Sequence, residues 1–97
     1  MTVLEGYAKV IETIHEIDAL YTATKALVLR HPEVLDDVTA AFTNVLKVVA
    51  SKFSVVAALQ VLASVRDAYS ECVKAYTDET ASGAIADLVA KLKAIAE

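Results

Sequence analysis

Residues 2–30, "TVLEGYAKVIETIHEIDALYTATKALVLR", hold the pattern that decides the fold. Val3, Tyr7, Val10, Ile14, Ile17, Tyr21, Thr24 and Val28 follow one another in alternating steps of four and three. Residues so spaced share one stripe of an α-helix, whereas a strand would send them to both faces. The stretch predicts a first helix over about residues 2–30 with one side turned to a core.

The segment "RHPEV", residues 30–34, breaks this period. Pro32 suits the first turn of a new helix, where its missing N–H would have no partner anyway. Glu33, Asp36 and Asp37 bring negative charge to that N-terminus, where the helix dipole favours it. A second helix over about 32–51 turns Leu35, Val38, Phe42, Val45 and Val49 inward. "ASKFS" is a short link, with Ser54 as N-cap of a third helix over about 54–78. Its stripe reads Val55, Leu59, Leu62, Arg66, Tyr69, Val73 and Tyr76. "TDETASG" is the clearest loop, and a fourth helix over about 82–96 turns Ile85, Leu88, Leu92 and Ile95 inward. Links this short make successive helices antiparallel neighbours. The expectation is a single all-α domain over residues 1–97, an up-down-up-down antiparallel four-helix bundle. "DAL" at 18–20 and "KAL" at 25–27 return 49 residues later as "DAY" and "KAY", which reads as two related helical hairpins.

The chain is 57% hydrophobic, against about 45–50% for typical domains. The excess lies in Ala and Val rather than in aromatics. A chain of 97 residues has a modest core, so the surplus predicts apolar surface that meets a ligand or another subunit. A homo-oligomer, a dimer at micromolar concentration, is the expected form. The net charge of −4, with no basic stripe, argues against nucleic acid and against an anionic membrane surface. "FSVVAALQVLASV", residues 53–65, is too short for a bilayer, which needs about 20 residues. Cys72 is the only cysteine, so the chain forms no internal disulfide. The start "MTVLEGYAKVIE" lacks a basic segment followed by an apolar run, and with the lone cysteine this predicts a cytoplasmic protein.

One polar cluster stands out. Asp18 and Lys25 lie in the row of Leu4 and Ile11, beside the main stripe, with Tyr21 between them. Arg66 holds a stripe position in the third helix. Matching heights between antiparallel helices puts Asp18, Asn44 and Arg66 in one layer, with Tyr21 and Tyr69 just above. A buried guanidinium requires a carboxylate, and Asp18 is the candidate. Lys25 falls level with Asp37. Two functional readings follow. In the first, the core binds an apolar small molecule or a partner helix, oriented by Asp18, Tyr21, Asn44, Arg66 and Tyr69. In the second, a desolvated Lys25 acts as amine nucleophile, or Asp18 as base, in a small enzyme. A structural homo-oligomerisation module is the third reading. Inward tyrosine hydroxyls need partners, which predicts a polar channel through the core.

Metal and cofactor signals are sparse. Glu12 and His15 form one E-x-x-H pair, but a di-iron bundle needs a second and matching carboxylates. His15 is the one candidate axial haem ligand, and no other cofactor is expected. Ile17-Asp18-Ala19-Leu20 resembles the I-D-x-L stretch of all-helical chorismate mutases. Their site needs several arginines and lysines around a dicarboxylate, and this chain has only Arg30 and Arg66 as arginines. Short links and heptad-like regularity are also those of an engineered bundle, although valine-rich helices with a free cysteine are not.

Overall fold

The computed structural model describes residues 2–77 and 79–97. Four α-helices make up the fold: α1 (Val3–Leu27), α2 (Leu35–Lys52), α3 (Val55–Ala75) and α4 (Ala81–Ala96). No strand occurs among the described residues.

Local chemistry sets each boundary. At the start of α1, the Thr2 hydroxyl accepts the Glu5 N–H at 3.1 Å, and the Glu5 carboxylate accepts the Thr2 N–H at 3.3 Å. This reciprocal box satisfies two donors that a helix start leaves unpaired. Helix α1 closes at Val28, whose N–H reaches the carbonyls of Thr24 and Lys25. Residues 32–34 form a single 3₁₀ turn rather than the first turn of α2. Pro32 has no N–H to give, and the turn closes through Val34 N–H to the His31 carbonyl at 3.1 Å.

Only Phe53 and Ser54 separate α2 from α3. Phe53 takes the left-handed conformation (φ 46°, ψ 44°) that stops a helix, at a position where glycine is the usual occupant. Ser54 then turns extended and caps α3, accepting the Ala57 N–H at 3.4 Å. Helix α3 stops at Ala75, earlier than its pattern suggests; Asp78, in the expected final turn and in the loop, lies outside the described residues. Thr77 and Thr80 exchange backbone-to-hydroxyl hydrogen bonds at 3.1 Å each, and the Thr80 hydroxyl donates to the Ala75 carbonyl at 2.6 Å. These bonds absorb the end of α3 and place Thr80 at the start of α4.

The helices stand at the corners of a square. Helix α1 packs beside α2 and α3, and α4 beside α2 and α3; across the diagonal α2 touches α3 lightly. Direction follows from cross-contacts. Tyr21 meets Thr39 and Phe42, and Tyr7 meets Phe53, so α1 and α2 are antiparallel. Arg66 meets Glu16 and Tyr76 meets Leu27, so α1 and α3 run parallel, about fifty residues out of step. Glu71 meets Lys91 while Ser64 shares a groove with Ile95, so α3 and α4 are antiparallel. This is the up-down-up-down four-helix bundle expected from the pattern. It is two hairpins laid side by side, and the sequence echo runs in the same register as their contacts.

The core holds Val10 and Ile17 of α1, Val38, Phe42, Val45 and Val49 of α2, and Ile85, Leu88 and Leu92 of α4. Those faces match the expected stripes. Helix α3 does not. Its buried residues are Ala58, Leu62, Val65, Ala68 and Cys72, while Leu59, Arg66 and Val73 are exposed. The column of Val55, Leu62, Tyr69 and Tyr76 is shared with the expected stripe; its second column is on the other side. One residue is about 100° of helix, a little over a quarter turn. That rotation faces α3 toward both α1 and α4 from its own corner. It lets small residues, Ala58 and Ala68, sit where backbones approach, and it moves Arg66 to water.

Candidate functional site

The residues singled out as a polar cluster do not meet in the core. Asp18, Lys25, Asn44 and Arg66 are all exposed, and Tyr21 and Tyr69 are half-buried. The expected Asp18–Arg66 pair is replaced by Arg66 with Glu16, 3.2 Å apart on the outer side of α1 and α3. The physical reason is the rotation of α3. With Arg66 in water, no buried charge demands a carboxylate, and Asp18 has no cause to turn inward. On α1 the inward flank is the row of Thr13, Leu20 and Leu27, and the row of Asp18 and Lys25 faces out. Lys25 extends over the Tyr21 ring, 5.4 Å from its centroid, in a cation–π contact rather than toward Asp37.

The tyrosines form no polar channel. The Tyr21 hydroxyl bonds the Thr39 hydroxyl at 2.9 Å, and the Tyr76 hydroxyl donates to the Leu27 carbonyl at 2.7 Å, each at the edge of the core. The Tyr76 hydroxyl supplies a donor to a carbonyl that the end of α1 would leave unpaired. Buried Thr13 and Thr24 donate to their own helix, to the carbonyls of Lys9 and Leu20. Among the described residues no buried side-chain nitrogen or oxygen lacks a partner.

Surface charges placed this way have small energetic weight. Asp18→Leu and Arg66→Met are each expected to change stability by less than about 1 kcal/mol. Their effects add, because the two side chains share no contact. In urea melts that measure both sets of variants, Glu16→Gln with Arg66→Met gives a coupling of about 0.2–1 kcal/mol, the range of an exposed pair. A coupling of several kcal/mol between positions 18 and 66 would return both residues to the core.

Other candidates are equally plain. His15 and Glu12 are exposed on α1, and among the described residues no three His, Cys, Asp or Glu side chains gather around a common point. Cys72 is buried between α3 and α4. Desolvation pushes its thiol above the ordinary value, and the charge of nearby Asp87 adds to the shift, so it stays a protonated packing residue. The α3–α4 groove beside it, about 220 Å³, is lined by Ala68, Ala75, Ala84 and Leu88 and spanned by the Glu71–Lys91 ion pair. A groove of about 290 Å³ between α2 and α4 is lined by Val34, Ile85, Ala86 and Val89, with Asp37 and Lys93 beside them. Of the expected cluster, Asn44 lines a wide groove with Lys47, Lys93 and Glu97.

The feature that the cluster reading missed is at one end of the bundle. Val3 and Leu4 are 90% and 81% exposed, Val56 is 66% exposed, and Tyr7, Phe53 and Leu59 are each about half exposed. The parallel register of α1 and α3 brings the first turns of both helices to this end. Phe53 joins them from the link, its ring 5.3 Å from that of Tyr7. The last turn of α4 lies level with Ser64 of α3 and Val48 of α2, so the first two turns of α3 run on past it. The opposite end carries Glu33, Asp36 and Asp37, with Glu71 and Asp87 below them, alongside Lys25, Arg30, Lys74, Lys91 and the exposed Leu29. The apolar collar was legible only as an overall surplus, since Val3, Tyr7 and Leu59 fit the inward stripes.

No protein-family model matches the chain, and comparison with curated proteins and with solved structures finds no significant similarity. No helix among the described residues is long and apolar enough to cross a membrane.

Proposed function

We propose that this small helical protein acts by association, presenting the apolar end of the bundle to a partner, and not by catalysis. The single observation behind this reading is the collar of Val3, Leu4, Tyr7, Phe53, Val56 and Leu59, large apolar side chains that the bundle itself leaves open to water. Apolar surface gathered at one place marks an interaction site more often than scattered single residues do. Phe53 strengthens the reading. A phenylalanine in the left-handed region costs about 1–2 kcal/mol that a glycine would not, yet its ring remains half exposed. An aromatic side chain held there against backbone preference is of use to something outside the fold.

The enzyme reading has little support, because Lys25 and Asp18 both stand in water and neither has the dry surroundings that activation requires. A small apolar ligand would have to lie in grooves with charged residues along them. The test is a double substitution, Leu4→Ser with Val56→Ser. The variant unfolds at the same urea concentration as the parent, within about 0.5 kcal/mol. At chain concentrations low enough to leave the collar uncovered, the native parent enhances the fluorescence of an apolar dye such as anilinonaphthalene sulfonate, and the variant does not. A loss of more than about 2 kcal/mol would show that these side chains serve the fold and would end the reading.

A further inference from the structure

We infer that the partner at this apolar end is a second copy of the chain, joined end to end about a two-fold axis. The inference rests on the association reading above and names the occupant. Three observations select it. The first is the charge at the rim of the collar. Lys52 lies next to Phe53 and, among the described residues, has no ion-pair partner; Glu5, in the first turn of α1, is exposed. One acid and one base at the edge of one patch are self-complementary. A two-fold axis sets Lys52 of each copy against Glu5 of the other, twice over.

The second observation is the distribution of charge along the molecule. The long dimension is 49 Å, and toward the end away from the collar the acidic residues Glu33, Asp36, Asp37, Glu71, Glu79 and Asp87 outnumber the basic Lys25, Arg30, Lys74 and Lys91. The net charge of −4 makes self-association unfavourable wherever these groups approach their copies. Joining collar to collar moves the two acidic ends apart by far more than the screening length of about 8–10 Å. A side-by-side pairing with both rods pointing the same way does not. The third observation is that the stretch Phe53–Val65 carries no charge at all, so α3 brings nothing charged beneath the contact except the rim groups.

The geometry separates this arrangement from others. Two copies joined at the collar make a rod approaching twice the 49 Å length, while copies packed side by side do not. Sedimentation equilibrium of the full chain measures the mass, and small-angle X-ray scattering measures the longest dimension. The expected result is a dimer of elongated shape. Phe53→Asn keeps a residue that accepts the left-handed turn and removes the ring. Val56→Ser alters an exposed position in the first turn of α3. Each is expected to fold as the parent does and to weaken the dimer about 30-fold or more. Lys52→Glu is expected to weaken it less, with an effect that shrinks as salt is raised.

A parent that stays monomeric to about 200 μM, well above a micromolar Kd, overturns the inference. So does a dimer no longer than the monomer, or one that Phe53→Asn and Val56→Ser leave intact. The association reading has its own failure, loss of stability or unchanged dye binding on polar substitution at the collar. A monomer whose collar still binds dye therefore removes the second copy and leaves a different protein as the partner.

Discussion

Phe42→Ala is expected to cost about 3–5 kcal/mol, read as a lower urea midpoint at unchanged slope. Phe42 is the largest of the fully buried side chains, 1% exposed on α2. Its ring meets Tyr21 at 5.4 Å between centroids, and Tyr21 is held in turn by its hydrogen bond to Thr39. Truncation removes transfer energy and leaves a void between α1 and α2. Neighbouring helices cannot close it, because Val38 and Val45 hold the same face of α2 one turn away on either side. Small domains have a total stability of about 5–15 kcal/mol, so the loss takes more than half of the low end. Phe42→Leu keeps most of the volume and is expected to cost less than about 1.5–2 kcal/mol. An alanine variant that loses less than about 1 kcal/mol would show that the ring is not a core residue.

A second comparison uses two adjacent residues. Val65 is fully buried and Arg66 is exposed. Val65→Asp places an unpaired carboxylate in the core and is expected to cost at least about 3–5 kcal/mol, enough to unfold much of the population. Arg66→Gln removes one exposed ion pair and is expected to cost less than about 1 kcal/mol. The ratio reads the rotation of α3 directly. Equal effects at the two positions would mean that the helix faces the core with a different side.

These two residues also show how far the sequence could be read. The helices, their order and the faces of α1, α2 and α4 were legible because their apolar residues fall on one stripe with charges on the other side. In α3 two stripes compete. Leu59 and Val73 continue the expected stripe but stand in water, Ala58, Val65, Ala68 and Cys72 form the true contact, and Leu62 and Tyr69 belong to both. Spacing suggested one face; close packing at a corner between two helices selected the other. Arg66 was the warning, since a charge in mid-stripe more often marks a wrong stripe than a buried pair. The candidate polar site falls with that choice, because only a buried Arg66 gives Asp18 a reason to turn inward. The apolar end was not legible as a site. Exposure at an end depends on how far each neighbour reaches, and the period of a single helix contains no such information. The Thr77–Thr80 bonds and the Thr80 bond to the Ala75 carbonyl, which end α3 early, are likewise invisible to a pattern of apolar residues.

The parallel register of the two hairpins has a consequence for the order of folding. Within each hairpin, partners are near in sequence: Tyr21 with Thr39, and Glu71 with Lys91 twenty residues on. Between hairpins, the contacts Glu16–Arg66 and Leu27–Tyr76 close loops of about fifty residues. Closing a longer loop costs more chain entropy before any contact repays it. The two hairpins are thus the early units, and their docking is the late step. During synthesis the first hairpin emerges with the Thr13, Leu20 and Leu27 flank of α1 uncovered until α3 follows. Substitutions between α1 and α3 are then expected to act mainly on the rate of unfolding, and those at the turn around Pro32 on the rate of folding.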